Sequence, residues 1–318
     1  MVFFHKIICV IVSFFMSLIG LVSGTNFGDK TDTYIDSVNS VEAYTNTLET
    51  ATPQTEVYNI IKNHFESPLA EGKTEKKAIV IGYDGCRAAA HSLLDCDSDG
   101  GIAYLLSTGA TAELAYCGGV NYPYINKQDT STAPGWCSIL TGAWADTHGI
   151  TGNGIEKSNA TLTLITTLVE DKTVDSSAFY VSWNGHFNGE DTTYIQEKNY
   201  VEENNLNVTF LDADDDAGTV SNTVSDISKA DCSDFIFLTL EHTDHAGHDT
   251  GFSINNPDYI KAFDDIETDG RDIIDAIESR ETYDTEDWLI IITSDHGGYN
   301  TGHGMLTIQE RMTFIVVR

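Results

Sequence analysis

The sequence predicts an α/β protein with a mostly parallel central sheet flanked by helices. Three observations carry that expectation. From residue 78 onward, short apolar runs alternate with helical stretches, the rhythm of strand–helix–strand units. The runs Ala78–Ile81, Phe235–Leu238 and Leu289–Ile292 are apolar at consecutive positions, as strands buried on both faces are. Each run leads to a polar loop: Asp84-Gly85, Glu241-His242-Thr243-Asp244, and Ser294-Asp295-His296-Gly297-Gly298. In open α/β sheets, ligands bind beyond the carboxyl ends of such strands.

With 318 residues the chain can hold one large α/β domain or two small ones. Its 17 basic and 49 acidic residues give a net charge of −32. Such a surface repels nucleic-acid backbones and anionic lipid, so a long nucleic acid is not an expected partner. A phosphate site would need cations to reverse the local potential.

Residues 1–24 read as a signal peptide. His5 and Lys6 precede the apolar run Ile7–Val22, and Val22-Ser23-Gly24 offers small residues for cleavage. A single membrane anchor is the competing reading, since the run approaches spanning length. The expected mature protein is secreted or lies in the lumen of the secretory pathway, with no stable membrane span after cleavage. Cys9 leaves with the signal, and Cys86, Cys96, Cys117, Cys137 and Cys232 remain. An odd count leaves at least one thiol free; Cys96 with Cys117 is one candidate pair, and the connectivity stays open. Asn159-Ala160-Thr161 and Asn207-Val208-Thr209 are glycosylation sequons, usable in a eukaryotic secretory route.

Residues 25–77 form a polar, Thr-rich N-terminal extension with one helical stretch near Val57–Phe65 and no evident chemistry. The main domain spans 78–318. Its first strand ends in Asp84-Gly85, either a common turn pair or a ligand at a strand's carboxyl end. Asp95–Gly101 is acidic and Gly-rich but lacks the spacing and closing Glu of a calcium loop. In Thr130–Gly142, Pro134 suits a first helical turn. Thr132 is either the cap of that helix or a hydroxyl placed beside free backbone N–H groups, where a phosphoryl group binds well. A threonine is a poor nucleophile unless a metal activates it. Asn153, after His148-Gly149-Ile150, either donates to a phosphoryl oxygen or fills a turn. A helix near 160–170 and strands near 178–183 and 207–211 follow, the last leading to the acidic run Asp212–Asp216, read as solvated. After the strand 234–240, Asp244 and His248 are four apart, which places both on one side of a helical turn. Residues 257–280 form an amphipathic core helix, and Thr313–Val317 a last strand.

The ligand candidates are Asp84, Asp244, His248, Asp295, His296 and His303, oxygen and nitrogen donors that suit zinc. Three or four ligands suffice for one catalytic zinc, so six with a hydroxyl make two Zn²⁺ the natural count, another divalent metal remaining open.

In this order the motifs resemble the alkaline phosphatase superfamily, above all its type I phosphodiesterase/nucleotide pyrophosphatase family. They are Asp-Gly after the first strand, Thr-x-Pro opening a helix, Asp-x-x-x-His, Ser-Asp-His-Gly and a final Gly-His. The likeness runs from about residue 78 to the end. It implies an alkaline phosphatase-like catalytic domain and a metal-dependent hydrolase of phosphodiester or pyrophosphate bonds. Thr132 would be the transiently phosphorylated nucleophile. Asp84, Asp295 and His296 would hold one zinc, and Asp244, His248 and His303 the other. Asn153 and the backbone N–H of Ala133 would donate to the phosphoryl oxygen, and Trp183 and Tyr122 are candidates by position for contact with a base. The partner is a small phosphorylated substrate, such as a nucleotide. Thr132 stands where the sulfatase branch has a cysteine, which disfavours sulfate esters. The rival readings are a phosphomonoesterase of the alkaline phosphatase type and, in another class, an inactive secreted binding protein on the same fold.

Overall fold

The computed structural model describes residues 51–88, 99–119, 128–188 and 192–318. In chain order these form β1 (Thr52–Pro53), α1 (Glu56–Glu66), β2 (Glu75–Tyr83), α2 (Gly101–Ser107), β3 (Thr111–Tyr116), α3 (Thr132–Thr141) and α4 (Ala145–His148). Next come α5 (Leu164–Glu170), β4 (Ser177–Val181), α6 (Ile195–Asn204), β5 (Val208–Asp212), α7 (Asp216–Ile227) and β6 (Phe235–Leu240). The rest is α8 (His242–Thr250), α9 (Pro257–Glu278), β7 (Glu286–Thr293), α10 (Ile308–Arg311) and β8 (Met312–Val317).

The strands make one eight-stranded sheet in the order β1-β3-β8-β7-β2-β6-β4-β5. β7, β2, β6, β4 and β5 are mutually parallel, and β8 runs antiparallel to both β7 and β3. This is the mostly parallel, helix-flanked sheet that the sequence predicts. Side chains along a strand alternate between faces, so a continuous apolar run implies cover on both. In β2, Ile79, Ile81 and Tyr83 enter one core with Phe263, Ile266, Ile273 and Ile274 of α9. Ala78 and Val80 enter the other with Trp136, Ile139 and Leu140 of α3 and Val57 and Ile61 of α1. Helix α9 starts cleanly because Asn256 caps it, accepting from Asp258 N, and Pro257 opens it.

What positions the site is the adjacency of β7, β2 and β6. Gly82 pairs with Thr293 on one side and Tyr83 with Leu240 on the other, so three parallel strands end side by side. The segments that follow them carry Asp295, Asp84 and, on the first turn of α8, Asp244.

Several expectations shift. The boundary at residue 78 falls inside β2, and the described residues before it, 51–77, belong to the same body: β1 pairs with β3, and α1 buries Val57 and Ile61. A narrow apolar stripe on one short helix is enough to dock it, although the segment as a whole is polar. Ser131, not Thr132, occupies the cap position of α3. The run Asp212–Asp216 is not wholly solvated. Asp215 caps α7, and buried Asp216 accepts from Ser182 Oγ (2.5 Å) and Glu241 N (2.8 Å). Cys86, Cys117, Cys137 and Cys232 are buried thiols; Cys96, and with it the Cys96–Cys117 pair, lies outside the described residues. So do the segment 1–24, residues 95–98 and Tyr122. Among the described residues no helix is long and apolar enough to cross a membrane.

Candidate metal centre

Asp84 follows β2 and is 1% exposed. The turn it begins depends on Gly85, whose φ is +65° and whose Cβ, if present, would lie 2.6 Å from Asp244 Oδ1. Gly85 is therefore both a turn residue and a point of close approach, and its N–H donates to Asp295 Oδ1 at 3.2 Å. Trp136 Nε1 donates to Asp84 Oδ2 at 2.9 Å, and Thr243 Oγ1 to the Asp84 carbonyl at 2.5 Å. Asp244 and His248 sit one turn apart on α8, with His248 Nε2 3.4 Å from Asp244 Oδ2. Asp295 and His296 are fully buried beyond β7, while His303 reaches back from the next loop.

The three histidines are held in one tautomer. Nδ1 of His248 faces the Thr301 carbonyl (3.1 Å), that of His303 the Thr130 carbonyl (3.0 Å), and that of His296 the Gly297 carbonyl (2.8 Å). A carbonyl only accepts, so each Nδ1 carries the hydrogen and each Nε2 presents a lone pair inward. Those lone pairs face other acceptors. His248 Nε2 and His303 Nε2 are 3.0 Å apart. His296 Nε2 is 3.5 Å from Asp84 Oδ1 and 3.4 Å from Asp295 Oδ2, and His303 Nε2 is 3.6 Å from Asp244 Oδ1. Asp244 Oδ1 and Asp295 Oδ2 are buried without a hydrogen-bond donor.

Electrostatics sharpen the conflict. Burial, then the charges of Asp295, Asp244 and Glu241, push the Asp84 carboxyl well above its usual range. Burial and the Asp244 charge do the same to Asp295, and burial raises Asp244. Burial, with the neighbouring imidazole His303, pushes His296 well down. Acceptors crowded in this way call for a cation. A tetrahedral ion with bonds of about 2.0–2.1 Å separates its ligand atoms by roughly 3.3 Å, close to the separations present. The mixed imidazole–carboxylate donors suit a zinc-like ion better than calcium or magnesium. The tightest groups are Asp84/Asp295/His296 and Asp244/His296/His303, with His296 in both and His248 closing the second.

Thr132, the first residue of α3, is 5% exposed. Its hydroxyl lies 3.4 Å from Asp84 Oδ1 and 3.4 Å from His296 Nε2. Thr132 does not cap α3, because Ser131 holds that position, and its hydroxyl faces Asp84 and His296. The Ala133 N–H, expected to be free, instead donates to Asn153 Oδ1 at 2.9 Å. Asn153 is exposed, and its loop is anchored by His148, whose Nδ1 accepts from Ile150 N and whose Nε2 meets Ser138 Oγ. Burial, then the Lys157 charge, lowers His148 to about 4, so this anchor is uncharged near neutrality. Trp183 packs half-buried beside Ala133, Cys137 and Ile150. All six ligand candidates, Thr132 and Asn153 thus meet at one end of the sheet.

Sequence reasoning missed two supports. Trp136 stands out in sequence only as a core residue, and Gln54 lies in the segment credited with no chemistry. The Gln54 Nε2 donates to Gly135 O at 2.8 Å and also reaches Asp295 O at 3.4 Å, tying α3 to the β7 loop. Neither has a local sequence signal, because each acts on a partner distant along the chain.

Residues 78–309 match the family model for type I phosphodiesterase / nucleotide pyrophosphatase, and the chain belongs to that family. No curated protein matches it in sequence. Among solved structures, it is similar to murine ectonucleotide pyrophosphatase / phosphodiesterase 5, with 17% identity and a TM-score of 0.46 over 70% of this chain. The match spans 57% of the murine chain. It is also similar to an alkaline phosphatase from the Antarctic bacterium TAB5, with 13% identity and a TM-score of 0.43 over 77% of this chain and 91% of that one. A 2-O GAG sulfatase aligns with 9% identity and a TM-score of 0.49, over 77% of this chain and 64% of its own.

Proposed function

We propose that the protein is a secreted two-zinc phosphohydrolase that cleaves phosphodiester or pyrophosphate bonds in a small substrate, such as a nucleotide, through a phospho-threonine at Thr132. Residues 78–318 form the catalytic domain in this reading, with the packed residues before 78 as a buttress and residues 1–24 removed. The observation that carries it is the buried Thr132 hydroxyl, 3.4 Å from both Asp84 Oδ1 and His296 Nε2.

Asp84, Asp295 and His296 would hold one zinc, and Asp244, His248 and His303 the other. His296 goes with the first because its Nε2 lies 3.4–3.5 Å from both of those carboxylates. Bound zinc supplies positive charge that acidifies a hydroxyl or water and offsets the phosphoryl oxygens. Thr132 Oγ1 attacks phosphorus as the leaving oxygen departs, and water later hydrolyses the phospho-threonine. A phosphoryl oxygen arriving at the start of α3 displaces Asn153 Oδ1 from the Ala133 N–H. Asn153 then turns its Nδ2 inward, so that amide and backbone both donate to that oxygen. The −32 charge directs the enzyme to small substrates and away from long polyanions.

The test compares initial rates of the zinc-loaded protein on a nitrophenyl nucleotide diester and on nitrophenyl phosphate, with Thr132→Ala as control. Faster diester cleavage, lost in the variant while zinc stays bound, is the expected result. Faster monoester cleavage moves the function to a phosphatase. Turnover retained by Thr132→Ala removes it as nucleophile, and inactivity on both substrates favours a binding protein.

A further inference from the structure

We propose that Asn207 carries an N-linked oligosaccharide and that this glycan shields the open edge of the sheet. The inference rests on the secretory routing proposed above and is independent of the catalytic reading. The two sequons differ in the folded chain. Asn207 is exposed, directly before β5, and Thr209 is exposed on that strand. The Asn207 Nδ2 donates to the Asp175 carbonyl at 3.1 Å; a glycosylated amide keeps one hydrogen, so that bond survives coupling. Asn159 is half-buried. Its Oδ1 is shut off from solvent with no donor, and its Nδ2 donates to the Gln196 carbonyl at 3.0 Å. Close by, the fully buried Lys157–Glu197 ion pair (2.7 Å) and the Lys157 bond to Thr161 O (2.7 Å) fix the segment, leaving a sugar little room.

The second observation is where Asn207 sits. β5 ends the sheet order and, among the described residues, pairs only with β4. Its sequence, Val208-Thr-Phe-Leu-Asp212, has no charge before its last residue and no proline, and Leu211 is 36% exposed. An edge strand with so little charge along it is a template for pairing with another chain unless something covers it. A hydrated oligosaccharide rooted one residue before the strand provides that cover. In the coupling step, Asn207 Nδ2 bonds to the anomeric carbon of a polyprenyl-pyrophosphate-linked oligosaccharide. The pyrophosphate leaves with the C–O bond electrons, and the amide loses one proton.

The experiment expresses the full chain in a eukaryotic cell line and locates glycans by mass spectrometry, with and without peptide-N-glycosidase. Expected is a glycan on Asn207, absent from Asn207→Gln and Thr209→Ala and kept in Asn159→Gln. Thr209→Ala leaves the Asn207 side chain intact, so it answers even if Asn207→Gln misfolds. A glycan on Asn159 with none on Asn207 overturns the site while sparing the routing; an unglycosylated cytosolic product overturns both. Size-exclusion chromatography of Thr209→Ala should show association growing with concentration, whereas the glycosylated protein stays unchanged. Identical behaviour of the two overturns the shielding role.

Discussion

Trp136 donates its indole N–H to Asp84 Oδ2 at 2.9 Å, so a core side chain orients a ligand of the candidate metal centre. Gly82 makes this possible. A Cβ there would stand 2.5 Å from Trp136 Cη2 and 2.8 Å from the Leu238 carbonyl, so any larger residue would push the indole off the strand. Groups that orient ligands in this way typically change metal affinity about 10–100-fold when removed. Trp136→Phe should therefore weaken binding of the metal held by Asp84, measured by titration against a chelator with circular dichroism confirming the fold. Unchanged affinity would reduce Trp136 to packing.

His303→Ala should empty one metal position and spare the other, because Asp84, Asp295 and His296 are untouched. Elemental analysis of the dialysed variant gives the stoichiometry. A metal content equal to that of the unaltered protein would remove His303 from the site.

Asn153 separates two functions of one side chain. Asn153→Ala frees the Ala133 N–H but deletes a donor, and should slow turnover by about 10²-fold. Asn153→Asp keeps an acceptor for Ala133 N yet sets a negative charge against the phosphoryl group, so it should be slower still, with a raised KM. An unchanged rate for Asn153→Ala would refute the donor role.

Glu267 lies buried in the α9 core, accepting from Tyr83 Oη at 2.9 Å and from Ile102 N at 3.1 Å. Burial dominates these bonds and raises it from 4.5 to about 7. The folded state therefore binds the proton more tightly than the unfolded one. Its stabilising effect is complete below about pH 4.5 and is lost as pH rises through about 7. Glu267→Gln should flatten the fall in stability across that window, by at most about 1.4 kcal/mol per pH unit. Urea unfolding of metal-loaded protein at several pH values checks this; parallel curves for both proteins would place the titration elsewhere.

The sequence alone announced the apolar strands of the sheet and the polar residue types beyond them, though not β1 or β3. Ala78–Ile81, Phe235–Leu238 and Leu289–Ile292 announce buried strands because periodicity and apolarity are local properties, carried by neighbouring residues. The ligand residue types were legible for the same reason: Asp244 and His248 lie one turn apart on any helix. Tertiary structure decided what depends on distant partners. That β7, β2 and β6 are neighbours is a matter of long-range parallel pairing, and it alone brings Asp295, Asp84 and Asp244 together. That Thr132 does not cap α3, and that its hydroxyl faces Asp84 and His296, rests on the docking of α3 against β2 and Asp295. The roles of Gln54 and Trp136 at the site could not be read from the sequence. Each acts through hydrogen bonds to residues 52 or more positions away, and no local pattern encodes such bonds.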